Sequence, residues 1–171
     1  YGVRINYDVV NDVYSAPVYL STGSADNTQV NPYPWFYEPL VDSGSKHPII
    51  SNINAVKFEF ANSIDTLRND ISKTVLLQSS NLSRAEGVPR EISLDQINVK
   101  PDASMYPEGN YPLAVLLEGE FTSVYQNRIL PFENNKHQDE SKPTQQIVIS
   151  DGDIARNDYQ RGQALSLGFD R

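Results

Sequence analysis

Eleven prolines are scattered through this chain, and the apolar residues between them come in short runs. Proline removes a backbone donor and breaks helix interiors, so such a chain has few places for a long helix and favours short strands. Residues 56–60 (Val-Lys-Phe-Glu-Phe) alternate apolar and charged, the period of a half-buried strand. Residues 74–78, 113–117 and 147–149 are continuous apolar runs of the length that suits strands buried on both faces. Residues 2–10 alternate through Val3, Ile5, Tyr7 and Val9, and 164–167 reads as a final strand.

Helix signals are weaker. Ser93 stands as an N-cap before Leu94 with Gln96 three residues on, and residues 120–128 form a second candidate. The gaps 79–111 and 118–146 are long enough to hold crossover helices. Strands 56–60 and 74–78 are too close in sequence for a comfortable parallel crossover, which favours antiparallel or mixed pairing there. The expected fold class is α/β: a β-rich mixed sheet with few short helices. Residues 23–31 and 133–143 read as long polar surface loops.

Length and charge bound the function. At 171 residues the chain suits a single domain, 1–171, with a real core. Its 14 Lys and Arg against 22 Asp and Glu give a net charge of −8, which argues against nucleic-acid binding. With no cysteine, a disulfide scaffold, a thiolate zinc site and a cysteine nucleophile are excluded. The chain begins without Met and stops directly after an apolar run, which reads as a piece excised from a longer polypeptide.

Three segments hold the candidate site residues. Ile147-Val148-Ile149-Ser150-Asp151-Gly152-Asp153 delivers two carboxylates at a strand end, where open α/β sheets place their sites. Two acids are few for a hard-cation cage, and a turn closed by Asp151 and Asp153 is the plainer reading. Glu118-Gly119-Glu120 ends another strand in the same way, with paired carboxylates suited to acid–base work or simply solvated. Arg128 and Arg156 follow downstream and are placed to neutralise them. Trp35-Phe36-Tyr37, set among prolines 32, 34 and 39, reads either as an aromatic contact surface or as a staple holding a long excursion to the core.

Other residues carry less. His47 and His137 lack ligand-spaced partners, so neither a histidine metal site nor a Ser-His-Asp triad is expected. Ser79-Ser80 and Ser83-Arg84 follow a strand and either line a polar pocket or, since no nucleophile elbow or phosphate loop accompanies them, are ordinary turn serines, the plainer reading. No catalytic residue, cofactor or metal is assigned. A hydrolase using Asp151 and Glu118 requires the two to converge on one pocket.

Read in order, Tyr1-Gly2-Val3-Arg4-Ile5-Asn6, Pro34-Trp35-Phe36-Tyr37, His47-Pro48-Ile49 and Asn54-Ala55-Val56-Lys57-Phe58-Glu59-Phe60-Ala61-Asn62-Ser63 form a distinctive series. Lys73-Thr74-Val75-Leu76-Leu77-Gln78, Ala114-Val115-Leu116-Leu117-Glu118-Gly119-Glu120-Phe121, the 147–154 motif and Leu167-Gly168-Phe169-Asp170 complete it. The series resembles the GldG family, gliding-motility-associated auxiliary proteins of ABC transporters in Bacteroidetes. The resemblance implies a flavodoxin-like or glutamine-amidotransferase-like α/β fold. It also implies an extracytoplasmic (periplasmic) placement in a membrane-anchored parent, partnership with ATPase and permease subunits, and a link to gliding and secretion. It carries no catalytic residues. The expected function is non-enzymatic, through protein or ligand contacts, with binding of a sugar or anionic solute as the alternative.

Overall fold

The computed structural model describes residues 1–165 except 25, 26, 43, 45, 132–135 and 158. Among these it has twelve strands and two short 3-10 turns, Leu94–Asn98 and Ala103–Met105. The strands are β1 (Val3–Ile5), β2 (Asp8–Asp12), β3 (Ser15–Ser24), β4 (Asn27–Val41), β5 (Val56–Lys57) and β6 (Ile64–Thr66). They continue as β7 (Ser72–Gln78), β8 (Ser83–Gly87), β9 (Pro112–Gly119), β10 (Thr144–Ile149), β11 (Tyr159–Gln160) and β12 (Gln163–Ala164). They form the sheets β10-β9-β7, β3-β4-β5, β2-β8, β1-β6 and β11-β12, and every pairing is antiparallel.

This overturns the α/β expectation. A flavodoxin-like fold needs a parallel sheet with helices on its faces, whereas β9 and β10 pair antiparallel, Gly119 with Thr144 through Ala114 with Ile149. The 118–146 connection therefore needs no crossover helix, and it contains turns and a bridge between Thr122 and Glu140. The 79–111 connection holds β8 and the two 3-10 turns. Ser93 does cap the first of these, its Oγ accepting from Asp95 N at 3.2 Å. The turn stops after five residues, and Pro101 restricts the backbone of Lys100 just beyond it.

The core explains which strand signals were sound. Leu113, Ala114, Val115, Leu116 and Leu117 of β9 are all buried. Ala114 and Leu116 face a cluster with Val10, Val41, Phe58, Ala61 and Leu76, while Val115 and Leu117 face Ile64 and Phe121. Residues 147–149 are different: β10 is the outermost strand, and Ile147 and Ile149 are exposed. The 2–10 run is two strands rather than one, broken at Asn6 and Tyr7. Strands 56–60 and 74–78 do not pair with each other, since β5 joins β4 and β7 joins β9. Of the expected final strand 164–167, Ala164 belongs to β12 and Leu165 does not, while 166–171 lie outside the described residues, as do 133–135 of the 133–143 segment.

Of the 23–31 segment, 23–24 and 27–31 are paired strand of a β3–β4 hairpin rather than loop, with Gly23 paired to Thr28 and Ser21 to Val30, and 25 and 26 lie outside the described residues. The hairpin's prolines fit because Pro17 pairs with Pro34 and Tyr19 with Pro32. Missing N–H groups thus fall at alternate positions, leaving Val18–Tyr33 and Leu20–Asn31 to exchange ladder bonds. Closer to the body, the register slips between Ser15–Pro39 and Pro17–Pro34, so residues 35–38 stand against Ala16 alone. That bulge turns the aromatic segment inward.

Position in the sheet sets the stability contributions. Leu116→Ala is expected to cost about 2–5 kcal/mol and Ile147→Ala less than about 1 kcal/mol in urea unfolding. Equal costs would contradict the assignment of β9 as central and β10 as edge.

Candidate functional site

The sequence-designated aromatics are structural. Trp35, Phe36 and Tyr37 are all buried. Trp35 and Tyr37 meet edge to face at 5.6 Å and, with Val9, cover Val18, Ile92 and Ile97. Tyr37 also stacks on Phe60 at 6.0 Å, and its hydroxyl donates to Glu86 Oε2 at 2.8 Å. Glu86 is further held by Arg84 (2.6 Å) and Arg90 (2.8 Å). These contacts match the staple reading of the segment.

The two acidic strand ends do not meet. In the antiparallel β9–β10 ladder, Glu118 lies at one end and Asp151 just past the other. The six paired positions of the ladder, five steps of about 3.4 Å, separate its two ends by roughly 17 Å. A parallel sheet would have placed them on one edge. Asp151 is buried and closes its turn, Oδ1 accepting from Asp153 N and Oδ2 from Glu59 N, both at 2.7 Å. Asp153 pairs with Arg156 at 2.9 Å, and Arg156 reaches Glu59 at 3.3 Å, so this arginine does neutralise its acidic end. Glu118 accepts from Gln145 Nε2 at 2.5 Å beside an open groove, and Glu120 is exposed. Among the described residues, no group of three or more His, Cys, Asp or Glu is placed to hold a metal.

A different region has the shape of a contact site. Beyond Val18, one face of the β3–β4 hairpin is open at Tyr19, Ser21, Thr28, Val30 and Pro32, Tyr19 and Val30 being more than half accessible, while Leu20 and Asn31 of the other face are half-buried. At its root, where Leu40 N donates to Tyr14 O at 2.9 Å, a cleft of about 540 Å³ opens. Tyr14, Leu40, Asp42, Gln78, Ser79 and Ser80 are among the residues lining it. A second hollow beside it shares Tyr14, Leu40 and Asp42. Of these, Ser79 and Ser80 are the two that the sequence offers as pocket-lining residues; Tyr14, Leu40, Asp42 and Gln78 were not singled out. The polar run 23–31 obscured the hairpin, although Val, Thr and Tyr on either side of a Gly- and Asn-containing turn is its ordinary signal.

Asp12 fixes the floor of the cleft. It is almost fully buried and accepts from Ser80 N and Ser80 Oγ (both 2.7 Å) and from Tyr14 N (2.9 Å). Ser79 Oγ in turn accepts from Tyr111 N at 2.8 Å. These serines are thus turn-forming, as the sequence suggested. Burial raises the Asp12 pKa above its ordinary value of 3.8, outweighing the bonds from Ser80 and Tyr14 that lower it. A raised folded-state pKa gives stability that is complete below the unfolded value and lost as pH rises through the folded one.

Asp12→Asn replaces an acceptor with a donor facing these donors and is expected to cost about 1–3 kcal/mol at neutral pH. The gap should widen as pH falls from the shifted pKa toward 3.8, measured by unfolding across that range. A gap that is flat or narrows on acidification would contradict the burial assigned to Asp12.

Comparison with known proteins identifies a family and nothing finer. No curated protein and no solved structure matches the chain significantly. The family described as an ABC-type uncharacterized transport system matches residues 1–171, the full length of the chain. The chain belongs to this family, an auxiliary component of an ABC-type transport system.

Proposed function

We propose that this chain is a non-enzymatic, extracytoplasmic contact module of its transport system, and that the β3–β4 hairpin is the surface through which it engages the permease. One observation carries the proposal: a two-stranded arm with one face open along its described residues, bearing Tyr19 and Val30. An isolated hairpin is marginally stable in water, so an arm of this length gains order when a partner covers it. Aromatic side chains on such an arm supply the anchors typical of protein interfaces. In this reading the ATPase subunit drives the permease from the other side of the membrane. The ordered motifs resembling GldG support a role linked to gliding motility and secretion.

The cleft at the arm's root favours a second reading, binding of a neutral sugar. An accessible aromatic, Tyr14, stands there beside the polar groups of Asp42 and Gln78. An anionic solute is disfavoured by the Asp42 carboxylate.

The test is association with the permease in the assembled transporter. Tyr19→Asp combined with Val30→Asp should weaken capture of the permease by at least about tenfold. Folding stability should stay within about 0.5 kcal/mol, because both positions are exposed. Undiminished capture would remove the arm as the contact surface. A sugar that raises the unfolding midpoint with concentration, and fails to do so after Tyr14→Ala, would favour the second reading.

A further inference from the structure

Asn11, inside β2, is 1% exposed, and its Oδ1 and Nδ2 are both buried without a hydrogen-bonding partner among the described residues. Opposite it in the β2–β8 ladder stands Arg84, whose Nε is buried and unpartnered in the same way. Three of the four orphaned buried side-chain atoms among the described residues thus fall on one cross-strand pair, the fourth being Ser15 Oγ. Such an atom gives up the hydrogen bond that water supplied in the unfolded chain, and folded interiors seldom leave one unmatched. Three together mark a place where something binds.

The surroundings are polar and rigid. Alternation puts Asn11 on the same face of β2 as Val9, and the pairings Asn11–Arg84 and Val9–Glu86 set all four side chains on one face of the ribbon. Arg84 Nη2 is tied to Glu86 Oε1 at 2.6 Å, while Glu86 Oε2 accepts from the Tyr37 hydroxyl and from Arg90 Nε, both at 2.8 Å. The Arg84 guanidinium also lies over the buried Tyr106 ring, 5.3 Å from its centroid. Arginine 84 is therefore held at one terminal nitrogen and across its face, with Nε left over. The bonds of this layer stop one residue short of Asn11.

Chemistry selects the occupant. It has to accept from Asn11 Nδ2 and Arg84 Nε and to donate to Asn11 Oδ1. A metal cation meets the Arg84 charge and accepts from nothing. An anion has no proton for Oδ1, and Glu86 already balances Arg84. Only a neutral group with both lone pairs and O–H donors serves all three atoms, and the burial of Asn11 limits it to the smallest such molecule. We propose that Asn11 and Arg84 hold one ordered internal water, which accepts from Nδ2 and Nε and donates to Oδ1. Three hydrogen bonds to otherwise unmatched groups is the usual complement of a buried water. Facing residues of a ladder have Cβ atoms about 4.5–5.5 Å apart, a spacing at which one water oxygen bridges two polar side chains. The water joins Asn11 to the Glu86–Tyr37 layer, so that one polar network runs from β2 through β8 to β4.

Nuclear magnetic resonance of the wild-type chain tests the proposal. The Asn11 Nδ2 protons and the Arg84 Nε proton should both give cross-peaks to water that are opposite in sign between NOESY and ROESY spectra. That sign pattern marks dipolar contact with a long-lived water rather than proton exchange. A crystal structure should place one water oxygen within hydrogen-bonding distance of all three atoms. Asn11→Leu removes two of the orphaned atoms and strands the third, so its urea midpoint should fall below that of the wild type. Absence of the cross-peaks from both groups would overturn the proposal, as would a direct Asn11 Oδ1 to Arg84 Nε bond with no water between them. An Asn11→Leu midpoint equal to or above the wild type would also overturn it, since that is the result for an amide buried with nothing to bond. The wild-type spectra decide the question even where the variant fails to fold.

Discussion

The architecture depends on β2, five residues that enter two of the three core clusters and tie them together. Val9 enters the aromatic cluster with Trp35 and Tyr37, while Val10 enters the main cluster with Phe58 and Leu116. One edge of β2 pairs with β8, and on the other Val10 N donates to Ala61 O at 2.8 Å. The acids at its two ends act as clamps. Asp8 accepts from Ser63 N (2.8 Å) and Ser63 Oγ (2.5 Å), and Asp12 holds the Ser80 turn. Because the described residues hold only two 3-10 turns and no α-helix, these carboxylate-to-backbone bonds do the joining that helix packing does in an α/β domain. They satisfy backbone donors at strand ends that would otherwise be buried without partners.

Antiparallel pairing also decides where function can reside. It sends successive strand ends to opposite borders of a sheet, so Glu118 and Asp151 serve separate local structures rather than one acid–base pair. What remains accessible is backbone edge and hairpin: the β3–β4 arm, the cleft at its root and the β10 border. Each is suited to contact by shape and apolar area. That profile agrees with an auxiliary component of a transport system, the role of the family to which the chain belongs.

Much of the strand content was legible in the sequence, and the reason is periodicity. The 113–117 run correctly reads as a strand buried on both faces. The same pattern misleads at 147–149, because a short apolar run does not distinguish a central strand from an unfinished edge. Pairing direction was not legible either: long gaps suggested crossovers, but gap length measures chain and not direction. The aromatic segment 35–37 was open to two readings, and the bulge opposite Ala16, which no local pattern announces, turns it inward. The hairpin at 15–41 was missed because its far end is polar, as an arm outside the core is free to be.

Hydrogen exchange, compared between the chain alone and the chain in the assembled transport system, tests the central claim most directly. In isolation, amides of β9 and β2 should be the best protected, and those of residues 19–23 and 28–32 should exchange quickly. Assembly should slow the arm at least about tenfold while leaving β9 unchanged. An arm that exchanges equally fast in both states, with new protection confined to other surfaces, would contradict the claim that this protein works through its β3–β4 hairpin.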